Sequence, residues 1–184
     1  MTQNEKAELR KYYRHERELR FAQDSWLHIL ASDEFKAASQ IASYLSYGSE
    51  PATQDLHQEL LRMGKVIYLP KLLPDNDLAW IKWDGEISTL KQSGKIMEPT
   101  GAPISLSAEA EIEIVIVPAL HVDREGNRLG QGGGSYDRAL ARVSAWKIAL
   151  LHSGEITSEA IPNESHDQRV DAAATPDLIV RFRK

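Results

Sequence analysis

Residues 114–140 read I-V-I-V-P-A-L-H-V-D-R-E-G-N-R-L-G-Q-G-G-G-S-Y-D-R-A-L. The β-branched apolar run that ends at Pro118 is typical of a buried strand. Five of the eleven glycines then fall within nine positions, at Gly126, Gly130, Gly132, Gly133 and Gly134. A helix carrying Tyr136 and Leu140 is expected to begin at Ser135. The stretch therefore predicts a strand, a long loop and a helix, which is an α/β arrangement.

The glycine content of this loop suits a site for an anion. Glycines lack a Cβ atom, so successive backbone N–H groups can turn toward one point, and a helix N-terminus adds unpaired N–H groups. The spacing matches neither the P-loop nor the G-x-G-x-x-G pattern. A phosphate cradle and a tight structural turn both remain open from glycine content alone.

Composition narrows the class of protein. The chain has 184 residues, 42% hydrophobic and 27% charged, which are the values of an ordinary globular domain. A net charge of −5 disfavours nucleic acid as the main partner, and the lack of cysteine excludes disulfides and thiolate metal sites. The N-terminus lacks an apolar signal region, and no segment approaches the length of a membrane span. We expect one cytoplasmic domain over residues 1–184.

Alternation of helices and strands along the chain favours a mainly parallel sheet. Helices are predicted over residues 4–22, 25–38, 53–63 and from Ser135, with Thr2 and Thr53 as caps and Gly64 ending the third. Strands are predicted over residues 66–70, 78–83, 112–117, 147–151 and 177–182. Residues 41–46 read as a short strand or a helical end. Residues 87–103 and 119–134 are expected to be loops.

The first predicted helix has a cationic face. Lys6, Arg10, Arg14 and Arg17 follow one another at helical spacing, and Leu9, Tyr12 and Leu19 are expected to form the buried stripe. The plain interpretation is a solvated face balanced by glutamates. The alternative is that Lys6 and Arg10 reach an anion held elsewhere in the fold.

Two aspartates are candidate ligands for Mg²⁺. Asp137 falls in the first turn of the helix after the glycines, and Asp167 belongs to a later polar segment with His166. Mg²⁺ prefers one or two carboxylates together with substrate phosphates and water. The two aspartates would form such a site if the sheet brings them together. The histidines lack compact ligand spacing, so His121 and Asp123 are expected to be loop residues rather than zinc ligands.

Aromatic and acidic residues elsewhere have ordinary explanations beside functional ones. Trp80 and Trp83 could stack on a flat heterocycle, although aromatics at such spacings more often belong to the core. Glu50 and Glu98 each precede a proline in polar surroundings, where exposure at the surface is the plain expectation.

Residues 117–138, V-P-A-L-H-V-D-R-E-G-N-R-L-G-Q-G-G-G-S-Y-D-R, resemble the hallmark of the 5-formyltetrahydrofolate cyclo-ligase family, also called methenyltetrahydrofolate synthetases. Further blocks resemble the family in the same order: KAELR at residues 6–10, EPAT at 50–53, GKVIYLP at 64–70, IMEP at 96–99, PNESHD at 162–167 and VDAAAT at 170–175. The resemblance therefore spans most of the chain.

The resemblance implies a single three-layer α/β domain like that of the sugar-phosphate isomerase and CoA-transferase superfamily. It also implies an ATP- and Mg²⁺-dependent conversion of 5-formyltetrahydrofolate into 5,10-methenyltetrahydrofolate, ADP and phosphate. The formyl oxygen is phosphorylated, N10 attacks the activated carbon, and phosphate leaves. Such catalysis depends mostly on positioning and charge stabilisation. The expected partners are ATP and a reduced folate, with the protein a monomer or weak homodimer.

The family pattern assigns roles to individual residues. Tyr136 and Arg128 match positions at the reacting centre, and Glu50, Glu98 and Trp83 match positions that face the folate. The aspartates that match the Mg²⁺ site are Asp137 and Asp167. The ATP site would comprise Lys6, Arg10, Arg128, Gly130, Gln131, Gly132, Gly133, Gly134, Ser135, Tyr136 and Asp137.

Several positions depart from the family pattern. Family loops often carry a second tyrosine at Ser135, a phenylalanine at Val122 and a basic residue near Gln131 or Gly133. A glutamine commonly precedes the block at residues 162–167, where this chain has G-E-I-T-S at residues 154–158. Two alternatives follow: an ATP-dependent paralogue that acts on another substrate, and a non-catalytic sensor of a phosphorylated metabolite or folate.

Overall fold

The structure, a computed structural model, describes residues 3–19 and 24–182. Within these ranges the helices are α1 (Gln3–Glu18), α2 (Asp33–Ala37), α3 (Gln54–Arg62), α4 (Leu106–Glu109) and α5 (Ser135–Ala141), with short 3-10 helices at Leu27–Ala31 and Ile87–Thr89. The strands are β1 (Gln40–Ala42), β2 (Val66–Leu72), β3 (Leu78–Trp83), β4 (Leu90–Ser93), β5 (Ile96–Pro99), β6 (Ile114–Pro118), β7 (His121–Asp123), β8 (Arg128–Leu129), β9 (Trp146–Leu150), β10 (Ile156–Thr157), β11 (Ala172–Ala174) and β12 (Ile179–Arg181).

The central sheet has seven strands in the described part of the chain, in the order β12-β11-β9-β6-β1-β2-β3. The five inner strands are parallel, and the edge strands β12 and β3 are antiparallel to their neighbours. The predicted mainly parallel sheet is confirmed. Because the inner strands share one direction, their carboxyl ends lie along one edge, and the glycine-rich segment follows the middle strand β6 at that edge.

Side chains that alternate along β6 build the two faces of the sheet. Ile116 belongs to one buried cluster together with Leu60 of α3, and Val117 belongs to the opposite cluster together with Leu140 of α5. Successive strand residues point to opposite faces, so a strand buried on both sides reads as an unbroken apolar run. The fold is accordingly three-layered, with the sheet between two helical layers.

Helix α1 buries two of the four cations on the face whose plain interpretation was a solvated surface. Lys6 and Arg17 are only 7% and 2% exposed, whereas Tyr12 and Leu19 are 58% and 64% exposed. The predicted buried stripe was therefore wrong at Tyr12 and Leu19. The reason is that α1 packs its cations against carboxylates and carbonyl groups of distant loops, which supply the partners that burial of charge requires.

Other element predictions were corrected in detail. The helix predicted over residues 25–38 is interrupted at Ser32, whose Oγ caps α2 by accepting from Phe35 N–H at 3.5 Å. Residues 87–103 were expected to be mostly loop, yet β4 and β5 form a hairpin that turns at Gly94, with φ of 59°. Residues 41–42 lie in β1, and β11 forms at residues 172–174, where no strand was predicted. Thr2 and residues 20–22 of the first predicted helix lie outside the described residues.

The expected loop over residues 119–134 contains two further strands. β7 pairs with β8 and β10 in a small second sheet, so His121 and Asp123 are buried strand residues rather than loop residues. Asp123 Oδ1 accepts from the N–H groups of Glu125 and Asn127, both at 2.9 Å. These hydrogen bonds close the turn between β7 and β8.

Helix α3 carries a buried histidine beneath the carboxyl end of β1. Thr53 occupies the predicted N-cap position, but its Oγ1 donates to Tyr44 O at 2.8 Å instead of capping the helix. One turn later, His57 Nε2 lies 2.7 Å from Ser43 Oγ, and His57 is 1% exposed. Burial lowers the pKa of His57 to about 4, because the charged imidazolium loses its hydration.

Acid is therefore expected to destabilise the fold through His57. The unfolded chain binds this proton below pH ~6.5, whereas the folded protein does so only near pH 4, so stability falls as pH falls between these values. The shift corresponds to about 3 kcal/mol. Urea unfolding at several pH values should show a shallower acid decline for His57→Gln. The exposed His15→Gln variant is the control, and equal pH slopes in all three proteins would contradict the prediction.

Candidate active site

A cavity of about 600 Å³ lies at the carboxyl edge of the sheet. α1, the ends of β2 and β6, the hairpin strand β5 and the glycine loop, which we define as residues 130–134, enclose it. The structure brings nearly all the sequence-predicted site residues to its wall: Lys6, Arg10, Glu50, Glu98, Arg128, Gly130, Gln131, Gly132, Gly133, Gly134, Ser135, Tyr136, Asp137 and Asp167. A concave site beyond the carboxyl ends of the strands is the usual place for a ligand in a parallel sheet.

Two glycines of the loop adopt conformations that other residues avoid. Gly132 has φ of 105° and Gly134 has φ of 68°, both in the left-handed half of backbone space. An added Cβ atom at Gly130 would meet the guanidinium group of Arg128, so that side chain would have to shift. Among the described residues, the loop N–H groups from Gln131 to Gly134 form no backbone hydrogen bond. The loop therefore offers unpaired donors beside the cavity.

Cations of α1 meet two loops at the cavity. Lys6 Nζ pairs with Asp167 Oδ2 and lies 3.4 Å from Glu164 Oε1. Arg10 Nε donates to Gly130 O at 3.0 Å. Burial and the nearby Arg14 charge lower the pKa of Arg10, whereas the Asp167 charge raises it. An anion in the cavity would stabilise this partly buried cation.

Arg128 and Asp137 form a second ion pair at the cavity wall. Arg128 Nη2 lies 3.0 Å from Asp137 Oδ1, and Nη1 donates to Pro118 O at 3.2 Å. The guanidinium carbon lies 5.8 Å from the ring centre of Tyr136. Arg128 Nε is buried and has no hydrogen-bond partner within the described ranges. This cation thus retains one donor for a ligand.

The two predicted magnesium ligands are joined through one backbone group. Gln168 N–H, next to Asp167, donates to Asp137 Oδ1 at 3.0 Å. Within residues 3–19 and 24–182, no cluster of three or more His, Cys, Asp or Glu side chains could hold a metal by itself. Mg²⁺ commonly binds through one or two carboxylates plus phosphate oxygens and water. Two cavity carboxylates therefore fit Mg²⁺ that arrives with a nucleotide.

Two glutamates also line the cavity. Glu98 is only 9% exposed, and its Oε1 accepts from Leu72 N–H at 2.9 Å. Glu50 is half-buried, and its Oε2 accepts from Tyr47 N–H at 3.2 Å. The plain expectation of surface exposure was wrong for Glu98. Burial raises the pKa of Glu50, whereas the hydrogen bond from Tyr47 N–H lowers it by stabilising the ionised carboxylate.

Tyr136 also lines the cavity, and the charges of Arg128 and Glu50 both act on its phenol. Burial raises its pKa, the Glu50 charge raises it further, and the Arg128 charge opposes both. The hydroxyl is therefore neutral and can donate or accept a hydrogen bond. The Tyr136 ring meets Trp80 edge to face, with centroids 6.4 Å apart. This packing holds the phenol at the cavity wall.

Trp83 stands apart from the cavity. Its ring is packed in the main core, and Nε1 donates to Glu86 O at 3.2 Å. The expectation that Trp83 forms a wall for a substrate ring does not agree with this placement. The apolar parts of the cavity come instead from Tyr44, Leu72 and Met97.

Sequence reasoning missed a buried ion pair that anchors α1. Arg17 Nε and Nη2 donate to the two Glu155 oxygens at 2.9 and 2.6 Å, and Nη2 also donates to Ala119 O at 2.8 Å. Of the two residues in this pair, Arg17 could be noticed in the sequence because it follows the other α1 cations at helical spacing. Glu155 lies 138 positions away and carries no local signal.

Comparison with known proteins identifies the family. The family model described as the 5-formyltetrahydrofolate cyclo-ligase family matches residues 4–176. The chain belongs to this family. The resemblance read from the glycine loop is thereby confirmed, as is the expectation of a ligase enzyme.

Individual relatives agree with this assignment. The 5-formyltetrahydrofolate cyclo-ligase of Mycolicibacterium smegmatis is 34% identical over 143 residues, which are 74% of this chain and 73% of that protein. The Escherichia coli K12 enzyme of the same name is 31% identical over 77% of this chain and 80% of its own length. The NMR structure of Aquifex aeolicus 5,10-methenyltetrahydrofolate synthetase has a TM-score of 0.81 at 29% identity, covering 97% of this chain and 93% of that one.

A helix capable of crossing a membrane is not found in the part of the chain that the structure describes.

Proposed function

We propose that this ligase catalyses the ATP- and Mg²⁺-dependent cyclisation of 5-formyltetrahydrofolate to 5,10-methenyltetrahydrofolate, with release of ADP and phosphate. The observation that carries the proposal is one cavity lined by Lys6, Arg10, Arg128 and the glycine loop together with Glu50 and Glu98. Cations and unpaired N–H groups are suited to binding phosphates. Carboxylates are suited to accepting hydrogen bonds from the N–H groups of the folate heterocycle.

The reaction proceeds in two steps. The formyl oxygen attacks the γ-phosphorus and ADP leaves; N10 then attacks the formyl carbon, loses its proton, and the carbon–oxygen bond breaks to release phosphate. Lys6, Arg10 and Arg128 hold the phosphate charges in line for this transfer. Asp137 and Asp167 would hold Mg²⁺, which neutralises charge on the phosphates when bound. The neutral Tyr136 hydroxyl at the cavity wall would orient the formyl oxygen by a hydrogen bond.

The remaining parts of the proposal concern the state of the protein. A single domain over residues 1–184 is supported by two cores that share one sheet. A cytoplasmic monomer or weak homodimer that acts on small molecules accords with the net charge of −5 and the lack of cysteine.

The purified protein is expected to produce methenyltetrahydrofolate absorbance from 5-formyltetrahydrofolate only when ATP and Mg²⁺ are both present. Omission of each component in turn is the control, and ADP should form in equal amount with product. The absence of turnover with fresh substrate would contradict the proposal.

A paralogue with another substrate is the second candidate. Its supporting observation is that Ser135, where the family pattern often has tyrosine, lines the cavity beside Tyr136. ATP binding without folate-stimulated hydrolysis would favour this candidate. Tight folate binding without product in a long single-turnover experiment would favour a non-catalytic sensor.

A further inference from the structure

Arg14 holds the glycine loop from outside the cavity. Its Nε donates to Gln131 Oε1 and its Nη2 donates to Gln131 O, both at 2.9 Å. One turn earlier on α1, Arg10 Nε donates to Gly130 O at 3.0 Å. Residues four apart on a helix lie on one face, so the two arginines contact consecutive carbonyl groups of the loop.

This double contact orients the loop backbone. In a trans peptide the C=O and the following N–H point in opposite directions, and the described residues contain no cis peptide bond. Drawing Gly130 O and Gln131 O toward the guanidinium groups therefore turns the N–H groups of Gln131 and Gly132 away from them. The flanking glycines have large conformational freedom, so ordering the loop costs backbone entropy. The hydrogen bonds from Arg10 and Arg14 offset part of this cost.

The same contact fixes which way the Gln131 amide points. A guanidinium group only donates, so the amide oxygen of Gln131 must face Arg14 and the NH₂ group remains free to donate elsewhere. Gln131 and Glu50 line the same cavity, and the Gln131 side chain favours the ionised form of the Glu50 carboxylate. Arg14 thus selects the amide orientation that suits Glu50.

We propose that Arg14 is a positioning residue of this site: through Gln131 it holds the glycine loop against α1 and directs the Gln131 amide group into the cavity that Glu50 lines. This inference rests on the proposed function, because it gives Arg14 a part in the same site. Arg14 itself is exposed and does not line the cavity, so its effect reaches the reacting groups only through Gln131.

The surroundings of Glu50 give this relay a measurable consequence. Burial raises the pKa of Glu50, whereas the Tyr47 N–H group, the Arg17 charge and the Gln131 hydrogen bond lower it. After the larger effect of burial, the Glu50 charge also raises the pKa values of Tyr44, Tyr47 and Tyr136. Loss of the Gln131 donor removes a contact that favours the ionised form, so the Glu50 titration midpoint must rise.

Four variants separate holding the loop from orienting Glu50. Arg14→Ala removes both effects, and Arg14→Lys keeps the charge but loses the two-pronged contact. Gln131→Glu keeps an acceptor for Arg14 and replaces the donor to Glu50 with a like charge. Lys11→Ala is the matched control, because Lys11 is an exposed cation on the same helix that does not line the cavity.

The measurements are amide hydrogen exchange across residues 130–134, the NMR titration of the Glu50 side-chain carboxyl carbon, and the pH profile of kcat/KM. Arg14→Ala should speed loop exchange about tenfold, as expected for loss of charge-assisted hydrogen bonds, and raise the Glu50 midpoint. Arg14→Lys should restore only part of the protection. Gln131→Glu should keep loop protection while raising the midpoint and shifting the acid limb of kcat/KM upward.

Two results would overturn the inference: Arg14→Ala behaving like Lys11→Ala in all three measurements, or faster loop exchange with an unchanged Glu50 midpoint, which would make Arg14 purely structural. Hydrogen exchange and the carboxyl titration do not require turnover. If the wild-type protein does not cyclise 5-formyltetrahydrofolate, the proposed function fails while these two measurements still decide the role of Arg14.

Discussion

Asp137→Ala is expected to lower turnover by about 10² or more, the usual cost of removing one electrostatic contact to a transferring group. Asp137 Oδ1 accepts from Arg128 Nη2 and from Gln168 N–H, both at 3.0 Å. The carboxylate therefore orients Arg128, a cation proposed to bind phosphate, joins the loop that carries Asp167, and supplies half of the proposed Mg²⁺ site. Single-turnover rates at saturating ATP measure the chemical step directly.

Asp137→Asn distinguishes charge from geometry. The amide oxygen can still accept from Arg128 and Gln168, but the negative charge that Mg²⁺ requires is lost. The Asn variant should therefore remain as stable as the wild type, need more Mg²⁺ for half-maximal rate and stay severely slow. Asp55→Ala, an exposed residue in the first turn of α3, is the control. A rate within a few-fold of wild type for Asp137→Ala, with folding intact, would reduce Asp137 to a structural role.

Much of the central sheet could be predicted because the residue pattern of each strand is visible within the strand itself. The run from Ile114 to Val117 is apolar at every position, as a strand buried on both faces must be, and the helices around it carry their own start and stop signals. β11 is different, because Ala172–Ala174 has weak strand propensity. It is a strand because β9 and β12 pair with it on both sides, and such pairing is invisible in the local sequence.

The candidate site was predictable in composition but not in its internal pairing. The glycine loop, Arg128 and Asp137 lie within ten positions of one another, so a single sequence motif identifies all of them. Lys6 meets Asp167 across 161 positions, and the charged face of α1 reads as solvated unless that partner is known. The same long-range pairing explains why Tyr12 is exposed: the cations take the buried side of the helix.

Glu155→Ala is expected to lower the free energy of unfolding by about 3–5 kcal/mol, because it leaves the buried Arg17 charge without its carboxylate. Both side chains are 2% exposed and share two hydrogen bonds, at 2.9 and 2.6 Å. Urea unfolding measures the loss, and the exposed pair Glu59–Arg62 provides the control, since Glu59→Ala should leave the unfolding free energy close to the wild-type value.

A double replacement by apolar residues, Arg17→Met with Glu155→Leu, tests why the single variant fails. Most of the cost of breaking a buried pair is the desolvated charge left behind, so the double variant should regain most of the lost stability, short of the contact from Arg17 to Ala119 O. Because Arg17 lies one turn beyond Arg14 on α1, the regained helix should again present Lys6 and Arg10 to the cavity, and turnover should recover with stability. If stability recovers but turnover does not, the ion pair must also place Lys6 and Arg10 correctly at the cavity, beyond holding α1 on the fold.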